Sequence, residues 1–248
     1  MKQVHFIVQG KGGVGKSLIA AILAQYFIDK SSVATHFFDT DPINQTFSRY
    51  KALNVATVNI VGTNNAIDHS KFDALIEEII NQDGIAIVDN GSTTFLPLMQ
   101  YIKENGVLEV LNENGVATIF HIPLQGGGGL SDTVEGLATI LKVFSVPVVV
   151  WLNNHQGDIL IAGKRFQEVK IYRENADKIL GVCEIKKYQS DLYALAIQQM
   201  TENHLTIEEI KQDATWRLMS KQRVKIFYQE IVEQLQNIPL LNTEFQAA

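Results

Sequence analysis

Gly10-Lys11-Gly12-Gly13-Val14-Gly15-Lys16-Ser17 is the stretch from which the rest of the chain is read. It matches the G-x-x-x-x-G-K-[ST] phosphate-binding loop. Its flanks also fit: an apolar run (Val4, Phe6, Ile7, Val8) leads in, and a long apolar helix, Leu18 to Ile28, leads out. Glycines here let backbone N–H groups close around phosphate oxygens with no Cβ in the way, and the helix start at Lys16 adds its dipole to those donors. Lys16 is then placed to reach the β- and γ-phosphates, and the Ser17 hydroxyl to ligate Mg2+. The nucleotide-contacting run is Gly10, Gly12, Gly13, Val14, Gly15, Lys16, Ser17 and Leu18. A plain Gly-rich strand-to-helix turn explains the glycines but not the Lys-Ser pair that closes them.

Downstream, Thr35–Phe38 reads as a short strand closing on Asp39-Thr40-Asp41-Pro42, with Pro42 ending it because proline cannot donate to a ladder. Asp and Pro are ordinary turn formers. One strand away from a phosphate loop, however, the two carboxylates are well placed to face Mg2+ or an attacking water. Ile85-Ala86-Ile87-Val88-Asp89 is an apolar strand ending in a single acid. Such an acid holds Mg2+ through water, since magnesium keeps part of its hydration shell. The metal set is thus Ser17, Asp39 and Asp89, and Asn90-Gly91-Ser92-Thr93-Thr94 is a loop placed to sense the γ-phosphate.

The remaining chain alternates helical and extended patterns. Helices are expected over Ile43 to Leu53 (Phe47 and Tyr50 on one face), around Phe72–Ile80, over Phe95–Ile102, and after Ser131 and Asp132, which cap a segment carrying Leu137, Ile140 and Leu141. Phe166, Val169, Tyr172 and Ile179 suggest another, followed by Asp191–Thr201, Thr206–Ile210 and Ala214–Gln236. Strands are expected at Val4–Gln9, weakly at Thr57–Val61 before a turn at Gly62–Asn65, then at Val116–Ile122, Val146–Leu152 and Gly181–Ile185. The run Gly126–Gly129 is either a mobile connection or a close approach to a ligand or partner backbone. Asn153, at a strand tip, either reads a base edge or forms an Asx-turn. Arg217, Lys221, Arg223 and Lys225 give the last helix a basic start, read as a solvated shoulder with nucleic acid or anionic lipid as the lesser alternative. The tail Leu240–Ala248 is expected to fray.

This alternation predicts an α/β fold: one doubly wound, mostly parallel sheet with helices on both faces, spanning residues 1–248 as a single domain. Its ligand crevice lies beyond the carboxyl ends of the strands, where Gly10–Ser17, Asp39–Asp41, Asp89, Gly126–Gly129 and Asn153 converge. With 46% hydrophobic and 19% charged residues in 248, a large core is expected. A formal charge of −6 argues against a wholly basic nucleic-acid coat. The single cysteine, Cys183, excludes a disulfide framework, and the six histidines lack zinc-ligand spacing. A strand beginning almost at the first residue and the lack of a membrane-length apolar run predict a cytoplasmic protein.

Lys11 to Ser17 resembles the deviant Walker A motif of the ParA/MinD-type ATPases, whose mark is the extra early lysine, here Lys11. Asp39-Thr40-Asp41-Pro42 resembles their switch I, Val88-Asp89 their Walker B, and Asn153 their adenine-contacting asparagine. The opening VHFIVQGKGGVGKSLIAAILAQYFIDK, with DTDPINQTFSRYKALNV and VDNGSTTFLPL, is most like the plasmid-borne branch of TraL conjugal-transfer and StbB plasmid-stability proteins. The resemblance implies a Mg2+-dependent ATPase that forms a homodimer through ATP. Its catalytic residues would be Lys11, reaching the partner's phosphates, Lys16, and Asp41, orienting water. It also implies slow hydrolysis serving plasmid transfer or maintenance, with a plasmid-encoded protein partner and DNA as a further candidate.

Three features depart from that pattern. Asn-Gly-Ser follows Asp89 where many relatives carry proline, the net charge is acidic, and the tail lacks the basic character of membrane-binding members. The competing class is an ATP-dependent amidating or ring-closing enzyme on the same scaffold, for which the Gly126–Gly129 loop is the one hint.

Overall fold

In the computed structural model, residues 2–62 and 67–241 are described. Among them seven strands form one sheet, β1 Lys2–Ile7, β2 Thr35–Asp39, β3 Ala56–Thr57, β4 Ile85–Asp89, β5 Val116–Gln125, β6 Val148–Asn153 and β7 Ile179–Ile185, ordered β3-β2-β4-β1-β5-β6-β7. Every pairing is parallel. The helices are α1 Lys16–Lys30, α2 His69–Asn81, α3 Phe95–Glu104, α4 Val107–Glu113, α5 Leu130–Val143, α6 Lys170–Arg173, α7 Asp191–Glu202, α8 Ile207–Gln212 and α9 Leu218–Gln236.

The sheet separates two cores. Val4, Phe6 and Val8 join the side that packs α2, α3, α4 and α5, while Ile7 joins the side of α1, α7, α8 and α9. Both faces of β1 are therefore dry, which is why its sequence shows no alternation. Helix α1 is apolar all round for the same reason. It lies between the sheet and α8–α9, with Ile207 N–H donating to Gln25 Oε1 at 2.7 Å and Tyr228 Oη to Asp29 Oδ2 at 3.1 Å. Burial on both sides outweighs any need for a polar stripe.

Several expected elements come out differently. Residues 43–53 form two short 3-10 turns, Phe47–Arg49 and Lys51–Leu53, rather than a helix. Asp41 accepts the Ile43 and Asn44 amides as an N-cap would, but Gln45 turns left-handed at φ 43° and the Ser48 N–H goes to Asp39 Oδ2, so no i−4 ladder propagates. The expected helix through Phe166 and Ile179 breaks into a 3-10 turn at Phe166–Glu168 and the single turn α6, and Ile179 instead opens β7. Helix α4 has no counterpart in the sequence reading. Helix α9 starts at Leu218, not Ala214, because Arg217 is extended at φ −65°, ψ 143°, after a tight turn in which Asp213 Oδ1 takes the Thr215 N–H at 2.7 Å. Strand β3 is two residues long, and Thr63–Asn65 of the expected turn lie outside the described residues.

The start of the tail is docked. Tyr26 Oη donates to Leu241 O at 2.8 Å and Gln3 Nε2 to Leu240 O at 3.1 Å, while residues 242–248 lie outside the described residues.

Candidate nucleotide site

The register of the sheet brings the expected site residues to one edge. Ile7, Asp89 and Asp39 are aligned across β1, β4 and β2, and Gln125, Asn153 and Ile185 across β5, β6 and β7. Residues in register on parallel strands face the same side. Asp39 and Asp89 therefore point together toward the start of α1, on the side of Phe37 and Ile87.

The loop between β1 and α1 is held by its carbonyls. Lys16 Nζ donates to Lys11 O at 3.1 Å, Gln125 Nε2 to Gly13 O at 3.2 Å, and Asn153 Nδ2 to Val14 O at 3.0 Å. Gln9 secures the entry, accepting Gly10 N–H at 2.9 Å while its own amide donates to Pro123 O and Thr133 O, both at 3.1 Å. Turning the carbonyls outward turns the peptide N–H groups inward, the arrangement that cradles an anion. Gly13 at φ 71° and Gly15 at φ 95° take the left-handed conformations this needs. Gly15 caps α1 with no side-chain hydrogen bond and no acid follows in the first turn, so the positive end of the helix is open to phosphate. Val14 is buried, Gly10 and Gly12 are exposed, and Leu18 opens α1 half-buried.

Beneath the loop lie Lys16, Asp39 and Asp89, each less than a tenth exposed. Burial pulls the Lys16 ammonium pKa down, opposed by Asp89 and Asp41. Burial pushes the Asp89 carboxyl up to about 7, opposed by a hydrogen bond from the Ser17 hydroxyl and by Lys16, and reinforced by Asp39. Burial likewise raises Asp39, against the N–H groups of Asp41 and Ser48 that its oxygens accept at 3.0 Å each. Asp41 Oδ1 accepts the N–H groups of Ile43 and Asn44, leaving Oδ2 with one longer contact from Asn44 Nδ2 at 3.3 Å.

Asp89 Oδ1 is buried without a hydrogen-bond partner. An unpaired carboxylate oxygen in a dry site is costly, and the Ser17 hydroxyl lies beside it. Two hard oxygen donors at the base of a phosphate cradle suit magnesium, which keeps several waters and takes its other ligands from phosphate. Ser17 and Asp89 fit that ion. Asp39 sits in the same row with both oxygens already engaged by backbone amides.

The glycine run packs against the chain itself. Gly127–Gly129 forms a 3-10 turn leading straight into α5. A Cβ on Gly126 would lie 1.7 Å from Gly157 O, so the backbone that comes close is the chain's own. Ser131 and Asp132 consequently fall inside α5 rather than capping it, and Asp132 Oδ2 pairs with Lys11 Nζ at 2.8 Å. Sequence reasoning gave Gln9 and Gln125 no role, set Asn90 only within the γ-phosphate loop and read Asp132 as a helix cap. A polar amide at or just beyond the end of a buried strand was the available signal for the first three.

Fold and site together define a P-loop nucleotide-binding protein. Comparison with known proteins agrees: the model of the CobQ/CobB/MinD/ParA nucleotide binding domain matches residues 5–226, and the chain belongs to that family. Two Escherichia coli proteins, each called Protein TraL, are similar to it. One is 37% identical over 243 residues, covering 97% of this chain and all of that one, and the other 38% over 237 residues, covering 95% and 98%. Among solved structures, a chain of the MinC:MinD cell division protein complex of Aquifex aeolicus aligns with a TM-score of 0.53 at 13% identity, over 93% of this chain and 96% of that one. A ParA family ATPase from Chlorobium tepidum aligns at 0.51 and 15%, over 91% and 97%. These structural likenesses bear on the fold. Among the described residues no helix is long and apolar enough to cross a membrane.

Proposed function

We propose that this chain is an ATP-driven switch. It binds ATP with Mg2+, closes into a homodimer around the nucleotide, hydrolyses slowly, and serves plasmid conjugal transfer or plasmid maintenance in the cytoplasm. The observation that carries the reading is the unpaired Asp89 Oδ1 beside Ser17, at the foot of an uncapped helix and under a loop whose Gly13 and Val14 carbonyls are held by Gln125 and Asn153. Similarity to the TraL proteins supports the plasmid setting, and a plasmid-encoded protein is the expected partner. DNA is a second candidate partner; a membrane is not one.

The chain's own groups divide the work. Amides of the loop hold the phosphate oxygens, and Lys16 leaves Lys11 O for the β- and γ-phosphates. Mg2+, when bound through Ser17 and water on Asp89, neutralises phosphate charge. Asp41 Oδ2, the less engaged oxygen, orients the attacking water. The water oxygen bonds to the γ-phosphorus as the β–γ bridge breaks, ADP keeps the bridging oxygen and its electrons, and the water proton ends on the released phosphate. Lys11 supplies its charge to the partner's triphosphate. Asn153 has one amide hydrogen left for adenine, since its Oδ1 accepts the His155 N–H at 3.2 Å in an Asx-turn and its Nδ2 gives the other hydrogen to Val14 O at 3.0 Å. Departure of the γ-phosphate then frees the Asp41 and Asp89 loops.

The test is sedimentation and phosphate release with ATP, ADP and a non-cleavable analogue. A dimer with ATP but not ADP is expected. Lys11→Ala should abolish the dimer while leaving nucleotide affinity near wild type, and Lys16→Ala should weaken binding by about 100-fold. Turnover tied to a modified small molecule would instead point to the ligase class.

A further inference from the structure

Just past Asp89 the chain buries a polar cluster that the phosphate chemistry does not use. Thr40, Asn90 and Thr94 are all fully buried. Asn90 Oδ1 accepts from the Thr40 hydroxyl at 3.1 Å and from the Thr94 hydroxyl at 2.9 Å, and its Nδ2 donates to Gly91 O at 3.0 Å. Thr40 N–H also donates to Asp89 O at 3.0 Å, and that oxygen lies 3.1 Å from the Thr40 hydroxyl, whose single proton it shares with Asn90 Oδ1. Thr94 also reaches Gly91 O at 3.0 Å. One amide side chain thus joins the loop that carries Asp41, the loop that follows Asp89, and Thr94 at the N-cap of α3.

Packing at the open side joins the same segments to the phosphate loop. A Cβ on Gly91 would lie 2.8 Å from Asp41 Cγ, so that carboxylate rests directly on the Gly91 backbone. Ser92 Oγ lies 3.5 Å from where a Gly12 Cβ would be. The Asp41 loop and the Asp89 loop therefore share one surface and one buried hydrogen-bond hub. Such a hub is costly unless every member is paired, and here Asn90 uses its carbonyl twice and its amide once.

We propose that Asn90 is a positioning residue that locks the Asp41 loop to the Asp89 loop, so that the two answer the γ-phosphate as one body. The proposal rests on the ATP-switch reading and adds to it the side chain that makes the two loops a single switch. Asn90 opens the loop expected to sense the γ-phosphate, but its side chain is fully buried and is not among the residues expected to hold nucleotide or Mg2+. Its effect should fall on the chemical step and on loop order, not on ATP affinity.

Hydrogen exchange of the ligand-free full-length protein tests the lock without any appeal to hydrolysis. Thr40→Val keeps the shape and deletes the hydroxyl. It should speed exchange about tenfold in residues 91–95 as well as in 41–48, the effect expected for losing one buried hydrogen bond. Thr94→Val should do the reverse, loosening 41–48 from the far side. Thr40→Ser, which restores the hydroxyl, should restore protection at 91–95. If each substitution loosens its own loop alone, the lock does not exist.

A kinetic arm follows if the wild type releases phosphate. Thr40→Val should lower kcat about tenfold with ATP affinity within about twofold, and Thr40→Ser should recover kcat. An unchanged kcat, or an equal loss of affinity and kcat, would overturn the positioning role. A wild type that binds no ATP would sink the switch reading instead, while the exchange experiment would still decide the lock.

Discussion

Lys11 Nζ lies 2.8 Å from Asp132 Oδ2 of its own chain, in the first turn of α5, with both side chains about half exposed. A lysine proposed to serve a partner's triphosphate is thus held at home. Closure must break this pair. An exposed ion pair is worth about 0.2–1 kcal/mol and closure of a homodimer breaks one in each protomer, so Asp132→Asn should tighten the ATP-dependent dimer by up to about 30-fold at low salt. Sedimentation across a salt series checks it, because screening should erase the difference. A looser dimer would mean that Asp132 acts in the dimer rather than against it.

Asp89 makes the nucleotide-free protein sensitive to pH. Its folded-state carboxyl is raised to about 7 from an ordinary 3.8, so the folded chain holds a proton that the unfolded chain releases. This contribution lowers stability as pH rises from about 4 to about 7. Asp89→Asn should therefore match wild type near pH 4 and exceed it at pH 8, by roughly 4–8 °C in Tm if about 2 kcal/mol is at stake. Differential scanning calorimetry at several pH values reads this directly. The same variant should lose Mg2+-dependent phosphate release.

Gly126 and Gly128 separate packing from ligand contact. A methyl group at Gly126 would strike Gly157 O, while at Gly128 nothing lies within 4 Å. Gly126→Ala should lower Tm by roughly 4–10 °C through overpacking, and Gly128→Ala should leave it unchanged. Equal effects would show that the 3-10 turn is held by something other than its fit to Gly157.

His121 sits at the centre of a buried relay. Trp151 Nε1 donates to His121 Nδ1 at 2.9 Å, and since an indole N–H only donates, His121 Nε2 must carry the proton it gives to His5 Nδ1 at 2.9 Å. His5 Nε2 then donates to Gln3 Oε1 at 3.3 Å. Burial holds both imidazoles neutral, with His5 pulled down to about 3. Folded-state values below 6.5 mean stability is lost as pH falls from about 6.5 toward 3. His121→Phe should strand the indole N–H and cost about 2–3 kcal/mol at pH 7.5, with a smaller deficit at pH 5. Urea unfolding at the two pH values decides it; a deficit that does not shrink in acid would mean that His121 is not held neutral.

The phosphate loop was legible because its chemistry is local. Glycines at fixed offsets and a Lys-Ser pair between strand and helix specify a backbone shape that owes little to the rest of the chain. The apolar strands ending in Asp89 and Asn153 were legible because both sheet faces are buried, which writes a continuous apolar run. Residues 43–53 were misread because Phe47 and Tyr50 carry helical spacing, while Gln45 turns left-handed and Asp39, nine residues upstream, takes the Ser48 amide that a helix would need. Periodicity records which side chains are buried, not where backbone donors go.

By itself, the sequence determined the parallel α/β layout, the cradle over Lys16 and Ser17, and the edge of the sheet at which Asp39, Asp89 and Asn153 gather. All three follow from short-range spacing and from alternation of buried strand with helix. Tertiary structure alone decided that Asp132 holds Lys11, that Gly126 packs on Gly157, and that Asn90 joins Thr40 to Thr94. The first two pairs bring together residues 121 and 31 positions apart, on elements whose approach depends on the whole sheet closing. A polar residue's partner is set by which surfaces meet, and no local pattern carries that information.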